Sequence, residues 1–212
     1  MTSFLLSALS VDEQIDTVES KYEASWEPQL FDMFEKTVEC SADIKSSDKS
    51  CKLGEFIIQK MNPYSFDKLS VHIYAGMKSM KWQVKVFSLV MLSNFATYHP
   101  LVTTQNMPEI IMNLIGISSD VKKEVKTQTL KTFQTVCSTI ENVDIKHLIP
   151  VVISAYMNPS LDTQKALDAL VSTPFVNDID IPTMGFLAPL LTKSMREKKM
   201  VYQRRAAVVI ET

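Results

Sequence analysis

The sequence predicts an all-α protein, an α-solenoid of paired helices, and three observations predict it. Only four of its 212 residues are glycine, which leaves little material for hairpin turns. A basic residue following Val or Gln recurs at Lys85, Lys126, Lys165 and Arg204, a nearly constant step along the chain. Apolar segments opened by proline recur with nearly the same spacing. A helix–turn–helix unit of about 40 residues is the period of HEAT and armadillo repeats.

Each element follows from its own residues. MTSFLLSALSVDEQ has no basic leader or small-residue cleavage site. It reads as an amphipathic first helix with Phe4, Ala8, Val11, Ile15 and Val18 on one face. An early unit is visible as EPQLFDMFEKTV from Glu27 and KLGEFIIQKM from Lys52. A helix from Ser65 to Met77 then leads into Lys81. The later units open at MPEIIMNLI from Met107, IPVVISAYM from Ile149 and APLLTKSM from Ala188. Their prolines, Pro108, Pro150 and Pro189, keep the same step. Proline suits a helix's first turn, where its missing N–H has no intrahelical partner to lose. In one second helix, Val121, Val125, Phe133, Val136 and Ile140 recur at helical steps, and Asn158-Pro159 marks the next turn. DVKKEVK, Asp120 to Lys126, fits the HEAT pattern in which Asp and a basic residue tie neighbouring turns. The other units keep the basic residue without the Asp.

Residues 1–60 form N-terminal helices with a net charge of −6, and 61–212 form the repeats with a net charge of +4. The whole chain carries −2, which excludes a generally basic nucleic-acid coat. Its C-terminal end is locally basic: Lys193–Arg205 holds six cations against Glu197. That gradient suits docking to a specific anionic site. Cys40, Cys51 and Cys137 are odd in number and widely spaced, as expected of reduced cytosolic thiols. No apolar run approaches the ~20 residues that span a bilayer. The chain ends at Thr212 within the apolar run YQRRAAVVIET, and so reads as the N-terminal part of a longer protein.

Catalytic chemistry is missing from the pattern. Glycines at 54, 76, 116 and 185 form no Walker A loop, Rossmann fingerprint or nucleophile elbow. His72, His99 and His147 are far apart and have no metal-ligand spacing. Asp178 and Asp180 precede a proline helix start, where carboxylates favour the helix dipole and solvate a turn. No catalytic residue, metal ligand or bound cofactor is assigned.

The basic residues divide into two groups. Lys85, Lys126, Lys165 and Arg204 hold the repeating position and read as structural, and Trp82 beside Lys81 reads as packing. Lys78, Lys81, Lys122, Lys123, Lys198 and Lys199 lie in or just before a turn opening a second helix. Cations there oppose the helix dipole at a cost of about 0.3–1 kcal/mol each. With the free backbone N–H groups of the helix start they suit phosphate. A solvated face is the other reading of any one of them.

From Asn62 to Thr212 the chain resembles the N-terminal HEAT region of translation elongation factor 3, a ribosome-bound ATPase of the ABC class. NPYSFDKL, KWQVKV, MPEIIMNL, DVKKEVK, VDIKHLIP, STPFV and APLLTKSMREK carry the resemblance in order and spacing. Residues 1–60 match less well. The HEAT-repeat activator of the amino-acid-starvation kinase holds a similar segment deep in a long chain, and DIDIP fits it as well. Here KWQVKV follows soon after Met1, which favours elongation factor 3.

The resemblance implies a cytoplasmic ribosome-docking arm that contacts small-subunit rRNA and ribosomal proteins near the head and central protuberance. It implies neither DNA nor membrane as partner. The full-length form would use ATP, bound in cassettes absent from these residues, to promote release of exit-site tRNA. Charge and edge position select Lys122, Lys123, Lys193, Arg196, Lys198, Lys199 and Arg205 for rRNA contact. A protein-only HEAT or armadillo scaffold is the alternative class.

Overall fold

The computed structural model describes residues 27–43 and 47–211, and among these every regular element is helical. The reading of a first helix through Phe4 and Val18 lies outside the described residues. The described residues fall into two compact units: those up to 102 with 122–128, and 103–121 with 129–211.

In the first unit, α1 (Glu27–Cys40) and α2 (Ser47–Lys60) are followed by a short 3-10 turn, then α3 (Phe66–Met77) and α4 (Trp82–Tyr98). α2 begins at Ser47, more than a turn before the Lys52 start expected from its apolar pattern. On α1, Leu30, Phe31, Phe34 and Thr37 share the buried face. α4 has apolar residues all round (WQVKVFSLVMLSNFATY), and such a helix needs cover on more than one side. It packs against α2, α3 and α1.

Two glycines make the α4 contacts close. A Cβ on Gly54 would lie 2.5 Å from the Met91 sulfur, and one on Gly76 would fall onto Ser88 Oγ. Phe66 and Phe95 pack with ring centroids 4.4 Å apart. The His99 ring nitrogen Nε2 lies 2.8 Å from the Ile58 carbonyl in the last turn of α2. One terminal acceptor of that helix is thereby satisfied.

After a short helix, α5 (Pro100–Gln105), the second unit continues with α6 (Met107–Ser118). α7 (Lys123–Cys137) starts in the first unit and continues into the second. There follow a single turn α8 (Val143–Lys146), α9 (Ile149–Met157), α10 (Pro159–Val171), α11 (Ile181–Arg196) and α12 (Met200–Glu211). The proline starts expected at Met107 and Ile149 are observed, and Asn158 alone separates α9 from α10. On α7, Val125, Phe133 and Val136 are buried with Thr129 and Thr132 between them. Val121 is 95% exposed and precedes the helix, while Ile140 is buried beyond its end.

The third proline start is not where the regular spacing puts it. α11 opens at Ile181, with Pro182 in the first turn and Asp180 as N-cap, its carboxylate accepting from the Thr183 amide at 2.9 Å. Pro189 lies inside the helix. The spacing misled because α9 and α10 are shorter than α6 and α7 and are joined by Asn158 alone, so the next helix opens before the repeat period is complete.

That loop is held by Asp144 of α8. Its carboxylate accepts from the amides of Asn177 and Val176, each at 2.8 Å, and from Asn177 Nδ2 at 3.0 Å. Asn142 caps α8 through the Asp144 amide and donates to the Asp178 carbonyl. The hydrogen bond donated by the Asn177 amide, then that from the Val176 amide, holds the Asp144 carboxyl below the usual carboxylate range. Because the folded-state value is depressed, the contribution to stability is present above the ordinary value and lost as pH falls through the folded one. Asp144→Ala is therefore expected to melt below the parent at neutral pH. The gap in Tm should close on acidification, as a pH series of thermal melts will reveal.

An aromatic group forms the centre of the second unit. Phe133 of α7 stacks on Tyr156 of α9 with centroids 5.9 Å apart and 15° between planes, and Phe186 of α11 meets the same ring edge-on. The Tyr156 hydroxyl donates to the Phe186 carbonyl, and Ser118 Oγ donates to the Tyr156 carbonyl at 3.1 Å. Burial pushes the Tyr156 phenol and the neighbouring Cys137 thiol well above their ordinary ranges.

Candidate functional site

The basic residues singled out in the sequence occupy helix junctions. Lys78 is the C-cap of α3 and Lys81 the N-cap residue of α4. Lys122 immediately precedes α7, Lys123 opens it, and both side chains are exposed. Lys193 and Arg196 stand in the last turn of α11, with Lys198 and Lys199 in the turn to α12. The helix dipole treats these residues differently. It favours Lys193 and Arg196 at a C-terminus and opposes Lys123, Lys198 and Lys199 at an N-terminus. Lys199 lies over the Tyr202 ring, its Nζ 5.3 Å from the centroid.

Arg205 stands apart from this group. Its guanidinium pairs with Asp168 at 2.6 Å, bracing α12 against α10. Lys165, at the repeating basic position, is also tied locally. It pairs at 3.1 Å with Asp162, which accepts from Ser154 Oγ of α9 at 2.8 Å. The Ser154 bond and then the Lys165 pair hold the Asp162 carboxyl below its usual range. Here the repeat's basic residue braces one α9–α10 hairpin.

The structure brings Lys193, Arg196, Lys198 and Lys199 together on one groove of the second unit, with a volume of about 1030 Å³. One wall is a stripe of α6, Pro108, Met112, Ile115 and Ser119, at alternating helical steps of four and three. The other is the α11 stripe through Gly185, Ala188, Pro189 and Arg196. The basic side chains stand at the α11 C-terminal end, with Glu197 among them. Charge and edge position located those cations. The groove depends on small residues of α11 facing another helix, and no local pattern announces that.

Gly185 is a point of close approach between the two walls, since a Cβ there would lie 2.8 Å from Pro108 N. Pro189 has no N–H, so the Gly185 carbonyl lacks its helical donor at the same wall. Among the described residues no group of three or more His, Cys, Asp or Glu is placed to hold a metal ion.

Comparison with known proteins gives this helical array a family. Residues 7–133 match the family model described as EF3 N-terminal HEAT repeat. The chain belongs to the elongation factor 3 N-terminal HEAT-repeat family. Residues 162–212 match a second model, the elongation factor 3/GNC1 HEAT repeat. The first match begins inside the segment 1–60, where the resemblance read from motifs is weaker.

Among relatives, elongation factor 3 of Gonapodya prolifera is 30% identical over 155 residues, covering 73% of this chain and 14% of the relative. Elongation factor 3 of Pneumocystis carinii is 30% identical over 160 residues, 75% of this chain and 15% of the relative. The eIF-2-alpha kinase activator GCN1 of Saccharomyces cerevisiae is 24% identical over 163 residues, 77% of this chain and 6% of the relative. The chain thus spans about one seventh of the elongation factor 3 relatives. Among the described residues no helix is long and apolar enough to cross a membrane.

Proposed function

We propose that this chain is a ribosome-docking HEAT arm of an elongation factor 3-like protein. The observation that carries the reading is family membership combined with exposed lysines at helix-opening turns. Lys122 and Lys123 provide the phosphate contact. Two ammonium groups beside the first-turn N–H groups of α7 outnumber the carboxylate of Glu124 on the same turn, a balance that suits a phosphate oxygen. Lys193, Arg196, Lys198 and Lys199 form a separate anion-attracting surface on the second unit.

The partner is the small ribosomal subunit, through rRNA and proteins near the head and central protuberance, in the cytoplasm. The full-length protein would bind ATP elsewhere and use it to promote exit-site tRNA release. A HEAT segment of a starvation-kinase activator of the GCN1 kind is the second reading, favoured by the match over 162–212.

Counterion release makes phosphate contacts steeply salt-dependent. The chain is expected to co-sediment with purified ribosomes between about 50 and 300 mM salt, with affinity falling as salt rises. Lys122→Glu/Lys123→Glu should weaken binding at least ~10-fold and lower the slope of log affinity against log salt by about two. Unchanged co-sedimentation of the double variant would remove the phosphate role from these lysines. An absence of co-sedimentation by the parent at any salt would overturn the docking reading.

A further inference from the structure

We propose that the α6–α11 groove of the second unit is a receptor for an acidic amphipathic helix of a partner protein. The apolar walls and the cations select that chemistry together. Pro108, Met112 and Ile115 of α6 and Ala188 and Pro189 of α11 offer aliphatic surface, and Met112 is 58% exposed. Lys193, Arg196, Lys198 and Lys199 stand at the end of that surface against the one carboxylate of Glu197. An apolar stripe flanked by carboxylates satisfies both features.

Dimensions agree with a helix as occupant. Pro108 to Ser118 spans about three turns of α6, about 15 Å at 1.5 Å per residue. Three turns of a bound helix present anchors at i, i+3, i+4 and i+7, the helix-in-groove mode of recognition. The groove, at about 1030 Å³, exceeds the ~300–1,000 Å³ typical of small-molecule clefts.

RNA fits the same walls poorly. Single-stranded bases are bound by stacking on exposed aromatic faces. The one aromatic residue of the lining, Tyr156, is 5% exposed, and its ring is engaged by Phe133 and Phe186. Phosphate would use the cations and leave the aliphatic floor uncovered. This inference rests on the groove alone and stands apart from the ribosome reading, which turns on Lys122 and Lys123.

The test is fluorescence anisotropy of this chain with labelled helical peptides of ~15 residues. One carries a leucine face with glutamate flanks, one the same face with lysine flanks, and one serines in place of the leucines with glutamate flanks. The Leu/Glu peptide is expected to bind at least ~10-fold tighter than either other peptide. Met112→Glu should weaken it by a similar factor, and Lys193→Glu/Arg196→Glu/Lys199→Glu should transfer the preference to the lysine-flanked peptide. All of these positions are exposed, and circular dichroism melts of both variants check that the fold is kept. Equal binding of the leucine and serine peptides, or indifference to Met112→Glu, would overturn the proposal. So would binding of a labelled uridine oligomer, lost in the triple variant and unchanged by Met112→Glu, without peptide binding.

Discussion

Phe133→Ala is expected to cost this chain about 3–5 kcal/mol, the range for deleting a fully buried phenylalanine. Phe133 is 0% exposed and stacks on Tyr156, so its loss removes apolar burial and an aromatic pair together. The cavity would open beneath a ring whose hydroxyl is fixed to the Phe186 carbonyl. That bond opposes collapse of Tyr156 into the space, and a site that relaxes poorly lies at the costly end of the range. Urea denaturation followed by circular dichroism should show a midpoint lower by on the order of 1–3 M. Phe133→Leu, which keeps most of the volume, should recover more than half of the loss. A midpoint within a few tenths molar of the parent for Phe133→Ala would mean that the aromatic group is not the centre of the unit.

Much of this fold was legible because repetition is a property of sequence. The regularly recurring basic residues fall within the first two turns of α4, α7, α10 and α12. Proline marks the starts of α6 and α9 because a first-turn proline gives up no helical bond. Where one marker was extrapolated, it failed. Pro189 kept the period by position alone, while the local signals for a start, Asp180 and Pro182, lay about two turns earlier. The N-cap outranks the spacing because it satisfies a real amide, that of Thr183.

The site divides along the same line. Cations were legible because charge belongs to single residues. Two long-range ties were not. Asp168, which takes Arg205, lies two helices before it in the chain, and Asp144 fixes a loop that begins only after α9 and α10. Such contacts exist only once helices pack. The groove is of that kind too, since Gly185 and Ala188 carry no chemistry until α6 lies opposite them.

Gly185 gives the sharpest test of that packing, because the same substitution at two helical glycines should have opposite signs. In a helix, alanine is favoured over glycine by about 0.5–1 kcal/mol. At Gly116, exposed on α6, a Cβ meets nothing within 4 Å, so Gly116→Ala should stabilise the chain by that amount. At Gly185 the new Cβ would lie 2.8 Å from the Pro108 backbone nitrogen and ring Cγ, and 2.9 Å from Cδ. A proline ring in the first turn of a helix has no rotamer that clears the space. α6 and α11 must therefore separate, and overpacking of this kind costs about 1–3 kcal/mol. This outweighs the helix-propensity gain, so Gly185→Ala should destabilise the chain while Gly116→Ala raises its urea midpoint. Stabilisation by both substitutions would show that α6 and α11 do not approach closely in solution, and the groove walls defined by that crossing would have to be redrawn.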